Sequence, residues 1–159
     1  MTPEQEIVAD LMEAANAVAR SARETLQTAG DPPLNDAQFE AMSPLQRLAT
    51  TALLKQFEQL EGLLNSLFRA ILRTMGVRLK GLYPRDIANR MADLGVLDDA
   101  DRWFGVVKLR NELVHEHPLG SSERYDRFAQ ALKSLPFLFS VADRTEQIID
   151  ARELLGRSE

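Results

Sequence analysis

The 159-residue chain predicts an all-α fold, a bundle of about five helices forming one domain over residues 1–159. Three observations carry that expectation. Apolar residues recur three and four positions apart over long stretches, which is the helical period. Two of these stretches open on a hydroxyl residue, a Pro and then a Gln three positions on, the grammar of a capped helix start. No segment alternates apolar and polar residues as a half-buried strand would.

The elements follow in order. Thr2-Pro3-Glu4-Gln5 opens a first helix that carries Ile7, Val8, Leu11, Met12, Ala15, Val18, Ala22 and Leu26. Gly30 and the pair Pro32-Pro33 end it, because Gly suits the C-terminal cap and Pro cannot continue a helix. Residues 30–42 read as a flexible connection. Ser43-Pro44-Leu45-Gln46 opens a long helix that Gly76 ends, with Leu53, Phe57, Leu60, Leu64, Leu67, Phe68 and Ile71 on a wide stripe. Such a stripe calls for burial on two sides, in a bundle core and against a second copy of the chain. Tyr83-Pro84 opens a short helix ended by Gly95. Asp98 is placed to cap the next, with Asp99 and Asp101 in its first turn, where the helix dipole favours negative charge. That helix runs through Trp103, Val106 and Val107 to about His115. Pro118 and Gly120 break it, Ser121 or Ser122 starts another, and Pro136 is expected to kink or restart that one.

Composition excludes several classes of function. With no Cys there is no disulfide framework, thiolate nucleophile or Cys-ligated metal. The two His, at 115 and 117, cannot supply three imidazole ligands from one chain. No window holds the roughly 18 apolar residues of a membrane span. The acidic, helix-like start does not read as a secretory signal, so a cytoplasmic location without membrane attachment is expected. Net charge is −5, against a general nucleic-acid coat. The charge is unevenly spread. Residues 1–68 carry 4 basic and 10 acidic side chains, residues 69–110 carry 9 and 5, and residues 111–159 carry 6 and 9. The middle is a basic island, read either as a solvated helix face or as a place that holds phosphates.

The most informative stretch is Lys108-Leu109-Arg110-Asn111-Glu112-Leu113-Val114-His115-Glu116-His117-Pro118. On a helical wheel Arg110 falls about 20° from Trp103, inside the apolar face formed with Val106, Val107, Leu113 and Val114. Lys108, Asn111, Glu112 and His115 fall on the opposite side. Arg110 is thus a charge where the pattern calls for a hydrophobe, and it needs a carboxylate, a carbonyl or a phosphate. It is either a structural cation that snorkels out or pairs with an acid, or a binding group. His115 is either a helix-end residue meeting the negative C-terminal dipole or a proton carrier whose tautomer Asn111 fixes.

The string RNELVHEHP resembles the signature of the HEPN superfamily, and within it of HepT-like toxins. Their pattern is Arg, four residues, His, any residue, Tyr, with Asn commonly following the Arg. Arg110, Asn111 and His115 match in identity and spacing, and the likeness in order and spacing of elements spans about residues 45–150. His117 stands in the Tyr slot. In that family the Tyr is the residue that the partner nucleotidyltransferase antitoxin modifies with AMP, so this mode of control is in question here.

The resemblance implies a two-fold homodimer and a metal-independent endoribonuclease that leaves 2′,3′-cyclic phosphate ends, without a cofactor. It implies RNA as substrate, a nucleotidyltransferase-type antitoxin as partner, and a place in a toxin–antitoxin pair. Arg110, Asn111 and His115 are the implied catalytic residues, with His117 as an accessory. Lys108, Arg73, Arg78 and Lys80 are the expected RNA- or phosphate-binding cations. The chemistry suits these side chains: an imidazole can take the proton of a 2′-hydroxyl, and a guanidinium fits a phosphate with two parallel hydrogen bonds. On an ideal helix Arg110 and His115 stand about 140° apart, which fits a helix ending near His115 and a cleft gathered from two subunits. The alternative is a non-catalytic HEPN module that binds a nucleotidyltransferase or acts as a regulatory partner. A helical transcription regulator is disfavoured by the acidic charge and the lack of a helix-turn-helix pairing.

Overall fold

The computed structural model describes residues 1–115 and 121–156, and among these there are six helices and no strand. They are α1 (Pro3–Ala29), α2 (Asp36–Ala41), α3 (Pro44–Thr74), α4 (Pro84–Asp93), α5 (Ala100–His115) and α6 (Ser121–Ala151).

Both capping boxes close as the sequence dictates. Thr2 Oγ1 accepts from the Gln5 amide at 3.2 Å while Gln5 Oε1 accepts from the Thr2 amide at 2.9 Å. Ser43 and Gln46 repeat the arrangement at 3.1 Å in both directions. Each box satisfies two amides that a helix start would otherwise leave open. Gly76 follows α3 at φ 83°, a left-handed conformation in which a side chain would be strained.

The inward face of α1 is mostly alanine: Ala15, Ala19, Ala22 and Ala29 are buried beside Val8 and Met12. Small side chains let α1 lie close along α3, whose facing surface is large: Phe57, Leu60, Leu64, Leu67, Phe68 and Ile71 are all fully buried. The two helices are antiparallel, with Gly30 near Gln46 and Gln56 Nε2 donating to Ser21 Oγ at 2.9 Å. α6 lies antiparallel to α1 on another side. Gln5 Nε2 donates to the Leu154 carbonyl at 3.1 Å, Asn16 Nδ2 donates to Glu146, and Arg23 meets Asp143 at 3.3 Å. α5 docks on α3 through Trp103, whose ring lies 4.9 Å from that of Phe68. α4 covers that end with Ile87, Ala88 and Met91.

Three expectations need correction. Residues 30–42 are not a bare connection, since they contain α2. Asn35 Oδ1 caps it by accepting from the Gln38 amide at 2.8 Å, Asp36 pairs with Arg124 of α6 at 3.2 Å, and Phe39 packs against Tyr125. Asp99, not Asp98, caps α5: its Oδ1 accepts from the amides of Asp101 at 2.9 Å and Arg102 at 3.3 Å. Asp98 instead meets Arg144 at 3.7 Å. Finally, Pro136 does not restart a helix, since α6 runs through it without a break. Pro136 is exposed, while Leu132, Leu135, Phe137, Leu138 and Phe139 around it are buried. A proline inside a helix costs about 3 kcal/mol. Burying each of the flanking side chains is worth about 1.5–3 kcal/mol, and together they outweigh it.

This explanation separates two neighbours. Pro136→Ala should raise the stability of the chain, by up to about 3 kcal/mol, because it restores a helix donor at an exposed position. Leu135→Ala should lower it by about 2–5 kcal/mol, because it opens a cavity at a fully buried one. Urea unfolding followed by circular dichroism measures both, and a loss of stability in Pro136→Ala would overturn the account.

Candidate functional site

The structure gives Arg110 a partner that the sequence did not announce. Glu61 lies on the buried stripe of α3, between Phe57 and Leu64, and is 3% exposed. Its Oε2 is 3.5 Å from Arg110 Nε, across the α3–α5 contact. That is an ion pair, but Nε is buried and makes no hydrogen bond. Burial pushes the Glu61 carboxyl above its ordinary value, and the Arg110 guanidinium partly opposes the rise. The Arg110 side chain is about one-third exposed, at 34%, and its Nη1 donates to Asn111 Oδ1 at 3.4 Å. An acid on an otherwise apolar stripe, matching a base on another, was the signal available in the sequence.

Two spaces meet along α5. The inner one, a cavity of about 430 Å³, lies between α3, the start of α4 and α5. Glu61, Asn65, Ser66 and Arg69 line it from α3, and Trp103, Arg110 and Asn111 from α5. The outer one is a groove of about 580 Å³ lined by Lys108, Asn111, Glu112 and His115. Phe104, Val107 and Asn111 border both. Gly62 keeps the Arg110 side open, since a Cβ there would meet nothing within 4 Å. Asn111 therefore lines both spaces, with Arg110 at the inner one and His115 at the outer one.

The other expected residues are dispersed. His115 is exposed at the end of α5. Lys108 is exposed in the outer groove and pairs with Glu112 at 3.9 Å, and Glu112 also meets Arg127 at 3.3 Å. Arg73, Arg78 and Lys80 are exposed and line neither space. Arg73 lies about 18 Å along the α3 axis from Glu61, at a rise of about 1.5 Å per residue. Of the basic island, Arg69 is the α3 residue that reaches the inner cavity. Arg85 of α4 lies over the Phe104 ring at 4.5 Å and pairs with Asp101 at 2.9 Å. His117 lies outside the described residues.

Among the described residues no three His, Asp or Glu side chains gather as a metal site, and no helix is long and apolar enough to cross a membrane. Compared with protein-family models, curated proteins and solved structures, the chain matches none.

The Glu61 pair sets a pH dependence. Its folded carboxyl holds a proton to higher pH than the unfolded one, whose ordinary value is 4.5. Its contribution to stability is therefore full below that value and is lost as pH rises through the raised one. Glu61→Gln removes this titration. The stability of the native chain minus that of Glu61→Gln should accordingly fall as pH rises above the ordinary 4.5, as read by urea unfolding at a series of pH values. A difference that grows with pH would mean that the pairing, not the burial, dominates.

Proposed function

We propose that this chain is a HEPN-type, metal-independent endoribonuclease, the toxin of a pair whose antitoxin is a nucleotidyltransferase. The observation that carries the reading is Arg110. It stands on the apolar face of α5, held by one buried carboxylate at a distance that leaves its Nε without a hydrogen bond, at the wall of a cavity open to Asn111. A guanidinium so placed can turn to a phosphate without leaving its seat.

The chemistry then follows. His115 takes the proton of a ribose 2′-hydroxyl, and the resulting oxygen attacks the adjacent phosphorus. The bond from phosphorus to the 5′-oxygen breaks, that oxygen takes a proton from water and leaves, His115 returns its proton to solvent, and the product ends in a 2′,3′-cyclic phosphate. Arg110 faces the negative charge that builds on the phosphorane oxygens. Asn111, between the two, positions the phosphate or the imidazole. With Arg110 at the inner space and His115 at the outer one, the reading includes a two-fold homodimer in which one copy's Arg110 and the other's His115 serve one phosphate. Exposed Leu45 and Leu48 in the first turns of α3 supply apolar surface for such a contact.

A second reading is favoured by the Glu61–Arg110 pair itself, which gives Arg110 a counter-charge as a structural cation would have: a non-catalytic HEPN module that binds a nucleotidyltransferase. Expression separates the two. The native chain should arrest growth, and His115→Ala should not.

Purified protein should cut RNA in excess chelator and leave cyclic phosphate ends, detected by end-specific labelling. His115→Ala should lower the rate by about 10²–10⁴-fold with no loss of folding, since the side chain is exposed. Cutting that chelator abolishes and a divalent ion restores would refute the mechanism. Sedimentation should give about twice the 17.9 kDa chain mass, and a clean monomer would remove the composite site.

A further inference from the structure

The inner cavity carries more positive charge than its acid neutralises. Arg69 and Arg110 both line it, and among the described lining residues Glu61 is the one acid. Arg69 lies two turns after Glu61 on the same face of α3. Among the described residues it makes no hydrogen bond, ion pair or ring contact. Arg110 Nε is buried with no hydrogen bond. Asn65 and Ser66 bring amide and hydroxyl donors from α3, and Asn111 brings an amide from α5. Two guanidinium forks with neutral donors between them form the donor set that a tetrahedral oxyanion takes.

We propose that this cavity is a phosphate subsite, in which Arg69 and Arg110 grip one phosphodiester of a bound RNA between α3 and α5 and Glu61 yields Arg110 to it. The site stands on the cavity and its cations, while RNA as the source of the phosphate rests on the nuclease reading. The connection of the two spaces favours a strand over a free phosphate ion. Phe104, Val107 and Asn111 border both, so a strand anchored at one phosphate has a path along α5 toward Lys108. Glu61 then acts as a placeholder: it keeps Arg110 in place while the cavity lacks an anion, and it competes with the anion that enters.

Trp103 lines the cavity and is the single Trp of the chain, so its fluorescence reports occupancy. The probes are inorganic phosphate and a tetranucleotide RNA methylated at every 2′-oxygen, which cannot be cut. Both should change the fluorescence saturably, the tetranucleotide at lower concentration. Arg69→Ala should weaken both by about tenfold or more, the worth of one charge-assisted contact, with its melting temperature unchanged because Arg69 has no hydrogen bond or ion pair to lose among the described residues. Glu61→Gln should tighten both. Arg20→Ala, on the exposed side of α1 and outside the cavity, should leave phosphate binding within about twofold.

Arg69→Ala binding both probes as the native chain does would overturn the subsite. So would weaker binding by a folded Glu61→Gln. Binding of inorganic phosphate without the tetranucleotide would overturn the RNA assignment. RNA cleavage measured alongside keeps the two readings apart. Cutting with an unaltered Arg69→Ala affinity sinks the subsite alone, and Arg69-dependent binding without cutting sinks the nuclease alone.

Discussion

The close seam between α1 and α3 is the constraint from which the rest of the molecule follows. Four alanines on α1 set the distance, and the large residues of α3 fill what remains. With one flank of α3 closed in this way, its other flanks are free to receive α5 through Phe68 and Trp103 and to contact α6. The wide apolar stripe on α3 is therefore consumed within one chain over most of its length, from Leu53 to Leu72, and only its first turns leave leucines in solvent. A helix that serves as a spine in this way fixes the position of every residue along it, including the one charge it buries.

That charge explains why the α3–α5 contact differs from an ordinary core. A buried carboxylate is costly, and a partner at 3.5 Å with an unbonded Nε recovers only part of the cost. A core built for stability alone would place two hydrophobes there, which is often neutral or better. The pair instead keeps a polar cavity open between helices that would otherwise close on each other. Arg69, Asn65 and Asn111 are then brought around a space that α3 and α5 cannot fill.

Much of this was legible in the sequence where the governing interactions are local. Thr2 with Gln5 and Ser43 with Gln46 fix the starts of α1 and α3 over three residues, and Gly30 and Gly76 follow their ends. Arg110 stood out because a charge on an apolar face is an anomaly within one helix. What escaped was set by distant partners. Pro136 is a breaker by local rules, and only the burial of Leu132, Leu135, Phe137, Leu138 and Phe139 around it overrides it. α2 is six residues long with no buried side chain, so its evidence lies in Asp36 and Phe39 meeting α6. Glu61 was hidden because its meaning depends on which residue of α5 crosses it. The basic island was visible as a density of charge, but density does not say which side chains share a wall. Arg69 reaches the cavity, and Arg73, Arg78 and Lys80 do not.

The attachment of α2 gives the molecule an order in which it comes apart. α2 is held by the exposed Asp36–Arg124 pair, by its own caps, by the contact of Phe39 with Tyr125, and by Arg47 of α3, whose Nη1 donates to the carbonyls of Glu40 at 3.0 Å and Met42 at 2.9 Å. Salt screens the first of these, and a helix of this length has little stability of its own. None of these attachments is a side chain buried in the α1–α3 seam, which is the condition under which a helix can open apart from global unfolding. What it uncovers is apolar: Phe39 shares a cavity of about 320 Å³ with Leu54, Leu113, Tyr125 and Phe128. Opening of this six-residue helix would expose, at the start of α6, an apolar surface that the closed chain covers, and added salt would favour it to the small extent that one exposed ion pair contributes.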